Sequence, residues 1–165
     1  MRPAISPPVA KTIALARIAT AILFLLFAEY KLADGVFAHS GFQQYLQEYI
    51  ATDAARFYVP FLAGVVQPHA VFFGYVVGIL ELAVGLSMLL GWWVRPLSVV
   101  GVLFLINMLL CTWWSPGHGV PVWRYFGAEL EHIPLLLLFL IFYAADAGTT
   151  WGLDGLRRGA KTASS

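Results

Sequence analysis

The residue that most invites chemistry is Glu81, which sits in an apolar run, 71–91, that holds no other charged side chain. A carboxylate at bilayer depth costs about 2.5–3.5 kcal/mol on insertion scales, so it faces protein and seeks a partner. Gly74, Gly78, Glu81, Gly85 and Met88 follow one stripe at helical spacing. Small residues above and below a carboxyl mark a close-packed helix face. On an earlier apolar run, Arg17 shares a face with Ala21, Ala28 and Lys31, and it is expected to meet Glu81. Such a pair either fixes helix register or tunes a carboxylate for proton handling or ligand binding. A second group, Lys31, Glu131 and His132, is expected to gather at the outer rim with Glu29 and Glu129. There a lysine or imidazole donor and a nearby acid suit a quinone headgroup or small polar substrate. For Glu29 and Glu129 the competing reading is plain solvation at helix ends. Asn107 shares a stripe with Phe104, Cys111 and Trp114; it suits an interhelical hydrogen bond worth about 0.6 kcal/mol, or else a substrate contact. The catalytic candidates are thus Glu81, Arg17 and Glu131, and the substrate-binding candidates Lys31, His132 and Asn107.

The elements that must position these groups follow from composition. Of 165 residues, 60% are hydrophobic and only 12% charged, with a net charge of +1; mean hydropathy is +0.77. A soluble domain is about 45–50% apolar and about 25% charged, so a water-soluble globule and a disordered chain are both excluded. No basic footprint for nucleic acid is present. A spanning helix needs about 20 apolar residues, which predicts helices over about 12–30, 71–91, 97–114 and 128–147. The fourth has a clean apolar run only over 133–145 and contains Pro134, so it must borrow Glu129, Glu131 and His132 upstream. The expected fold is all-α: a single integral membrane domain over 1–165, a four-helix bundle with an amphipathic helix in the outer loop, 32–70. That helix is read from Phe42, Tyr45, Leu46, Tyr49 and Ile50, spaced i, i+3, i+4, i+7, i+8, and is expected to lie on the membrane or cap the bundle. The segment 57–66 is apolar but short and contains Pro60, so it is expected to dip in or cover a site without spanning. The first dozen residues and a cytoplasmic tail, 155–165, are expected to be short mobile ends.

Arg2, Lys11, Arg95, Arg157, Arg158 and Lys161 fall on one predicted side, against Lys31, Arg56 and Arg124 on the other. By the positive-inside rule, both termini are then cytoplasmic in a multi-pass protein of the cell (inner) membrane. Leu26-Phe27-Ala28 leads into Glu29-Tyr30-Lys31 with no small-x-small cleavage site, so the first run is expected to be a retained helix. Cys111 is the sole cysteine, which excludes an internal disulfide or dithiol relay and leaves Cys111 a packing residue. His39, His69, His118 and His132 lack metal-ligand spacing, and none lies mid-span; neither metal nor haem is expected.

The chain resembles the DoxX/DoxD family of small four-helix membrane proteins from about Ala16 to Leu156. Glu81-Leu82-Ala83-Val84-Gly85-Leu86-Ser87-Met88-Leu89-Leu90-Gly91 followed by Arg95 is similar to the family's E-L-x-x-G-L-x-L-L-x-G and arginine. Arg17 within helix 1, Lys31 at its end, an acid (Glu131 or Glu129) opening the last helix, and the closing Trp151-Gly152-Leu153-Asp154 also match. Thr149 stands where the family commonly has arginine after Gly148. The stretch Tyr58-Val59-Pro60-Phe61-Leu62, Asn107 and the closing motif lean to the DoxD branch, the membrane subunit of thiosulfate:quinone oxidoreductase. The resemblance implies a quinone-interacting membrane subunit that acts with a protein partner on a small sulfur compound. The partners expected are the lipid membrane, that subunit and, as a further option, a second copy of the chain. Two other functions remain in play: a scaffold or binding subunit without chemistry, and, ranked last for want of internal repeats, a small-solute transporter.

Overall fold

In a computed structural model the described residues are 5–113 and 132–163, with side chains to 160. Glu129, Glu131 and the rest of 114–131 lie outside them. Helix α1 spans Pro7–Leu32. It begins earlier than hydropathy suggests because two prolines open it. Their missing N–H groups fall where a helix has no acceptor to offer, and their φ is preset for the first turn. A bend over 33–35 follows, with Gly35 at φ +66°. The chain then runs helically through a π turn, Phe37–Gly41, then α2, Phe42–Glu48, and a second π turn, Tyr49–Asp53.

The amphipathic pattern over 42–50 has a packing counterpart. Leu46, Leu62, Val66, Ala70 and Cys111 form a small buried cluster with Phe42, Tyr49 and Ile50 against it. The short apolar segment does not stay separate. It becomes α3, Val59–Phe61, then a π turn, Leu62–Val66, and a 3-10 turn, Gln67–His69, which lead into α4, Ala70–Leu90. Pro60 and Pro68 sit within the first two positions of their turns, where a proline costs little. The wider turns between them adjust the backbone, so the helical stretch reaches from Val59 to Leu90.

Helix α5 is Val94–Cys111 and α6 is His132–Ala145. A 3-10 turn, Ala147–Thr149, and α7, Leu153–Ala163, close the chain. The tail expected to be loose from 155 onward is therefore helical, and it starts from a fixed point described below. Three helical stretches, Pro7–Leu32, Val59–Leu90 and Val94–Cys111, are long and apolar enough to cross a membrane; His132–Ala145 is apolar but shorter. Their outer surfaces are as greasy as their interior: Leu26, Phe72, Ile79, Leu103 and Leu137 are all exposed.

Helix α1 packs mainly along α4, and α5 along α6; α4 with α5 and α1 with α6 make lighter contacts. The α1–α4 seam is set by glycines. A Cβ on Gly74 would lie 2.7 Å from the Ala38 Cα, and one on Gly85 would lie 2.9 Å from the Leu25 side chain. Between the pairs, Phe24, Phe139 and Phe142 form an edge-to-face stack with Val84, Met88 and Leu105 around it. Gly101 admits the Phe139 ring.

The Gly74 contact is with backbone and cannot relax by a rotamer change. Gly74→Ala should lower stability by about 1–3 kcal/mol, measured by thermal or denaturant unfolding in detergent. Gly64, with nothing within 4 Å of a built Cβ, is the control, and Gly64→Ala should be neutral or mildly stabilising.

Candidate functional site

Glu81 lies at the middle of α4, 4% exposed, on the buried stripe with Gly74, Gly78, Gly85 and Met88. Its partner is not Arg17. The Lys31 ammonium donates to both carboxylate oxygens, at 2.8 and 2.7 Å. The reason is direction as much as position. Helical side chains lean toward their own N-terminus. Lys31 Cβ lies against Gly78, so the lysine, leaning back along α1, reaches the next turn of the antiparallel α4, where Glu81 is. The expectation of an outer-rim group built on Lys31 is corrected accordingly: Lys31 is drawn inward, 16% exposed. Its ammonium also lies 5.4 Å from the ring centroids of Phe27 and Phe37. Such cation–π contacts contribute about 0.5–2 kcal/mol each, more where water is excluded.

Arg17 leans the same way and reaches the opposite end of α4. It is fully buried. Its Nη1 donates to the carbonyls of Met88 and, at 3.4 Å, Leu89; its Nη2 donates to those of Trp151 at 3.0 Å and Thr150 at 3.4 Å. The last carbonyls of a helix lack intrahelical donors and carry its negative dipole end. A guanidinium with five donors satisfies them. Arg17 is thus a structural clamp and not the tuner of Glu81.

Beside this clamp is a capping arrangement that reading by spacing missed. Helix α4 ends at Gly91, which has φ +63°; a side chain there would be strained, and its Cβ would lie 2.5 Å from the Gly152 Cα. Helix α5 then begins at Val94 with no side-chain cap from its own N-cap residue, Trp93. The cap comes from 60 residues away: Asp154 accepts from the backbone N–H of Trp93 and Val94, both at 3.1 Å, while its own N–H donates to the Gly91 carbonyl at 2.9 Å. A carboxylate at a helix N-terminus satisfies orphan donors and the positive dipole end together. The available signal was an acid three residues after a tryptophan (Trp151-Gly152-Leu153-Asp154), together with a tight Gly91-Trp92-Trp93 turn that holds no Ser, Thr, Asn or Asp. Arg95, the second residue of α5, stacks on the Tyr143 ring of α6 at 4.6 Å.

The remaining candidates are dispersed. Asn107 accepts a 2.5 Å hydrogen bond from the Tyr58 hydroxyl, and Ala55 N–H donates to the Leu110 carbonyl at 2.9 Å. Together they moor the 37–66 segment to the end of α5. Burial, with a smaller contribution from the Cys111 thiol, holds the Tyr58 hydroxyl above the ordinary tyrosine pKa, so it remains a donor. Cys111 is buried in the adjacent cluster. His132 is half-buried at the first residue of α6. Glu131 lies outside the described residues. A cavity of about 640 Å³ opens elsewhere, at the Arg17 end, lined by Ile5, Ala10, Ile13, Tyr143, Thr149 and the Asp146–Arg158 pair. The structure therefore joins Glu81 to Lys31 and binds Arg17 and Asn107 into separate contacts.

Losing one partner of a buried ion pair strands the other, at about 3–5 kcal/mol, whereas replacing both with apolar side chains is often near neutral. Lys31→Met should show that loss in detergent unfolding, and Lys31→Met with Glu81→Leu should recover most of it; equal stability of single and double variants would dissolve the pair. Asp154→Ala should cost about 1–2 kcal/mol by uncapping α5, with hydrogen exchange rising first at amides 93–96. No protein-family model, no curated protein and no solved structure matches this chain.

Proposed function

We propose that the chain is a four-helix, DoxX/DoxD-like protein of the inner membrane, with both termini cytoplasmic. In this reading it is the quinone-interacting membrane subunit of an oxidoreductase that acts with a partner subunit on a small sulfur compound such as thiosulfate. The fourth span is α6 extended upstream, and the helical segment 37–66 covers the outer side. The observation that carries the reading is the Lys31–Glu81 pair, whose carboxylate lies buried at the middle of α4. An intramembrane ion pair with no close acidic or basic neighbour on its own stripe is a functional-site candidate by default.

The residues suit a quinone. The Lys31 side chain is 16% exposed, and its ammonium, which bridges both Glu81 oxygens, would be the donor to a carbonyl oxygen. Phe27, 38% exposed, offers a ring face on the outside of α1, the side from which a lipid-soluble ring arrives. Bound quinone would supply the two-electron acceptor. The chain's own part is to orient the headgroup through Lys31 and to keep a proton-exchanging carboxyl, Glu81, beside it while the surrounding apolar side chains exclude water. Electrons would enter from the partner subunit.

The test is the full chain in nanodiscs. Quinone should co-purify, and an added short-tail quinone should raise Tm and quench tryptophan fluorescence. Lys31→Met should weaken that binding by about tenfold or more, the loss expected for a charge-assisted hydrogen bond. Absence of co-purifying quinone, with no response of Tm or fluorescence to added quinone, overturns the proposal. A second reading, a scaffold for a redox partner, is favoured by the closure of the pair, since both Glu81 oxygens are already engaged. In that case Glu81→Gln lowers stability but leaves partner capture intact.

A further inference from the structure

Helix α7 is the most amphipathic of the described helices, and nothing among the described residues covers its apolar edge. Leu153, Leu156 and Ala160 recur at i, i+3, i+7 on one side; Arg157, four residues after Leu153, flanks that side, and Arg158 lies toward the other. Leu156 is 71% exposed, Leu153 41% and Trp151 56%. Asp154 fixes the first turn of α7 to the turn between α4 and α5, and Trp92 and Trp93 in that turn are also exposed and stacked on each other. The helix therefore starts at the level where two apolar helices end, which is the level of the bilayer–water boundary for any membrane these helices cross. Exposed tryptophans belong at that boundary.

We infer that α7 is an interfacial helix that binds the anionic headgroup surface of the adjoining leaflet. Leu153, Leu156 and Trp151 insert among the upper acyl carbons, and Arg157, at the flank of that side, extends upward to lipid phosphates. Charge complementarity favours lipid over a second copy of the chain. The basic side chains at this end, Lys11, Arg95, Arg157 and Arg158, outnumber the acids, and the acids Asp146 and Asp154 are already engaged by Arg158 and the α5 N-terminus. A copy of the same face would oppose like charges.

Hydrogen exchange on the full chain tests this in nanodiscs of phosphatidylcholine alone and in nanodiscs with a third of the lipid replaced by phosphatidylglycerol. Amides 154–163 should exchange about fivefold or more slowly in the anionic discs, the factor expected for each cation brought to an anionic surface. Arg157→Gln should remove most of that difference and leave exchange in phosphatidylcholine unchanged. Leu156→Glu should speed exchange in both discs, with α4 amides unaffected in either variant. Equal exchange in the two lipids overturns the inference. So does protection that survives Leu156→Glu, which would mean that the chain itself holds α7, or protection in detergent that rises with protein concentration, which would mean that a second copy covers it.

Discussion

A guanidinium buried in apolar surroundings cannot shed its charge, so it must be surrounded by acceptors. Arg17 meets that demand at both Nη atoms with carbonyls from two distant parts of the chain, the end of α4 and residues 150–151, while its buried Nε has no partner among the described residues. Those carbonyls have a matching need, because the last turn of a helix has no donors of its own. One side chain thereby fixes the height of α1 against α4 and draws the C-terminal segment under both. Asp154 then does for the start of α5 what Arg17 does for the end of α4, with the opposite sign. The two helix ends that meet at Gly91–Val94 are each completed by a charge carried elsewhere in the sequence.

This clamp sets the conditions for the Lys31–Glu81 pair. With α1 fixed at one end and glycines at 74, 78 and 85 admitting it closely, the lysine near its other end has a single course along α4. Without the glycines the helices would separate by the width of a side chain, and a 2.7 Å ion pair would become two isolated buried charges. Close packing is what makes the pair affordable in an apolar interior, because helix association in lipid has no hydrophobic driving force and relies on fit and polar contacts.

Much of this was legible beforehand. The glycine stripe located Glu81 on an inward face by spacing alone, and hydropathy gave the long apolar helices. The partner of Glu81 was not legible, since Arg17 and Lys31 share one face of α1 and periodicity cannot rank them. Only the inter-helix register and the backward lean of helical side chains decide for Lys31. The ends of helices were misplaced for identifiable reasons. The hydropathy run leaves out Pro7 and Pro8, and Pro60 reads as keeping 57–66 short, yet these prolines, like Pro68, fall in the first two positions of a helical turn. Asp154 read as a family-like ending because its role depends on a contact across 60 residues. Asn107 reads as a hydrogen-bonding residue or a substrate contact; its hydrogen-bond partner, Tyr58, lies in a turn between short helical segments, a position that periodicity does not single out.

The remote capping of the α4–α5 turn bears on how the chain is made. Synthesis runs from the N-terminus, so α1, α4 and α5 all leave the ribosome before residues 150–154 exist. Through that interval Arg17 lacks half of its acceptors, and α5 begins with bare N–H groups. The apolar helices can enter the bilayer in this state, but their relative heights are still adjustable. Arrival of Trp151 and Asp154 ends the adjustment, so the last-made segment works as a latch on an assembly already in the membrane.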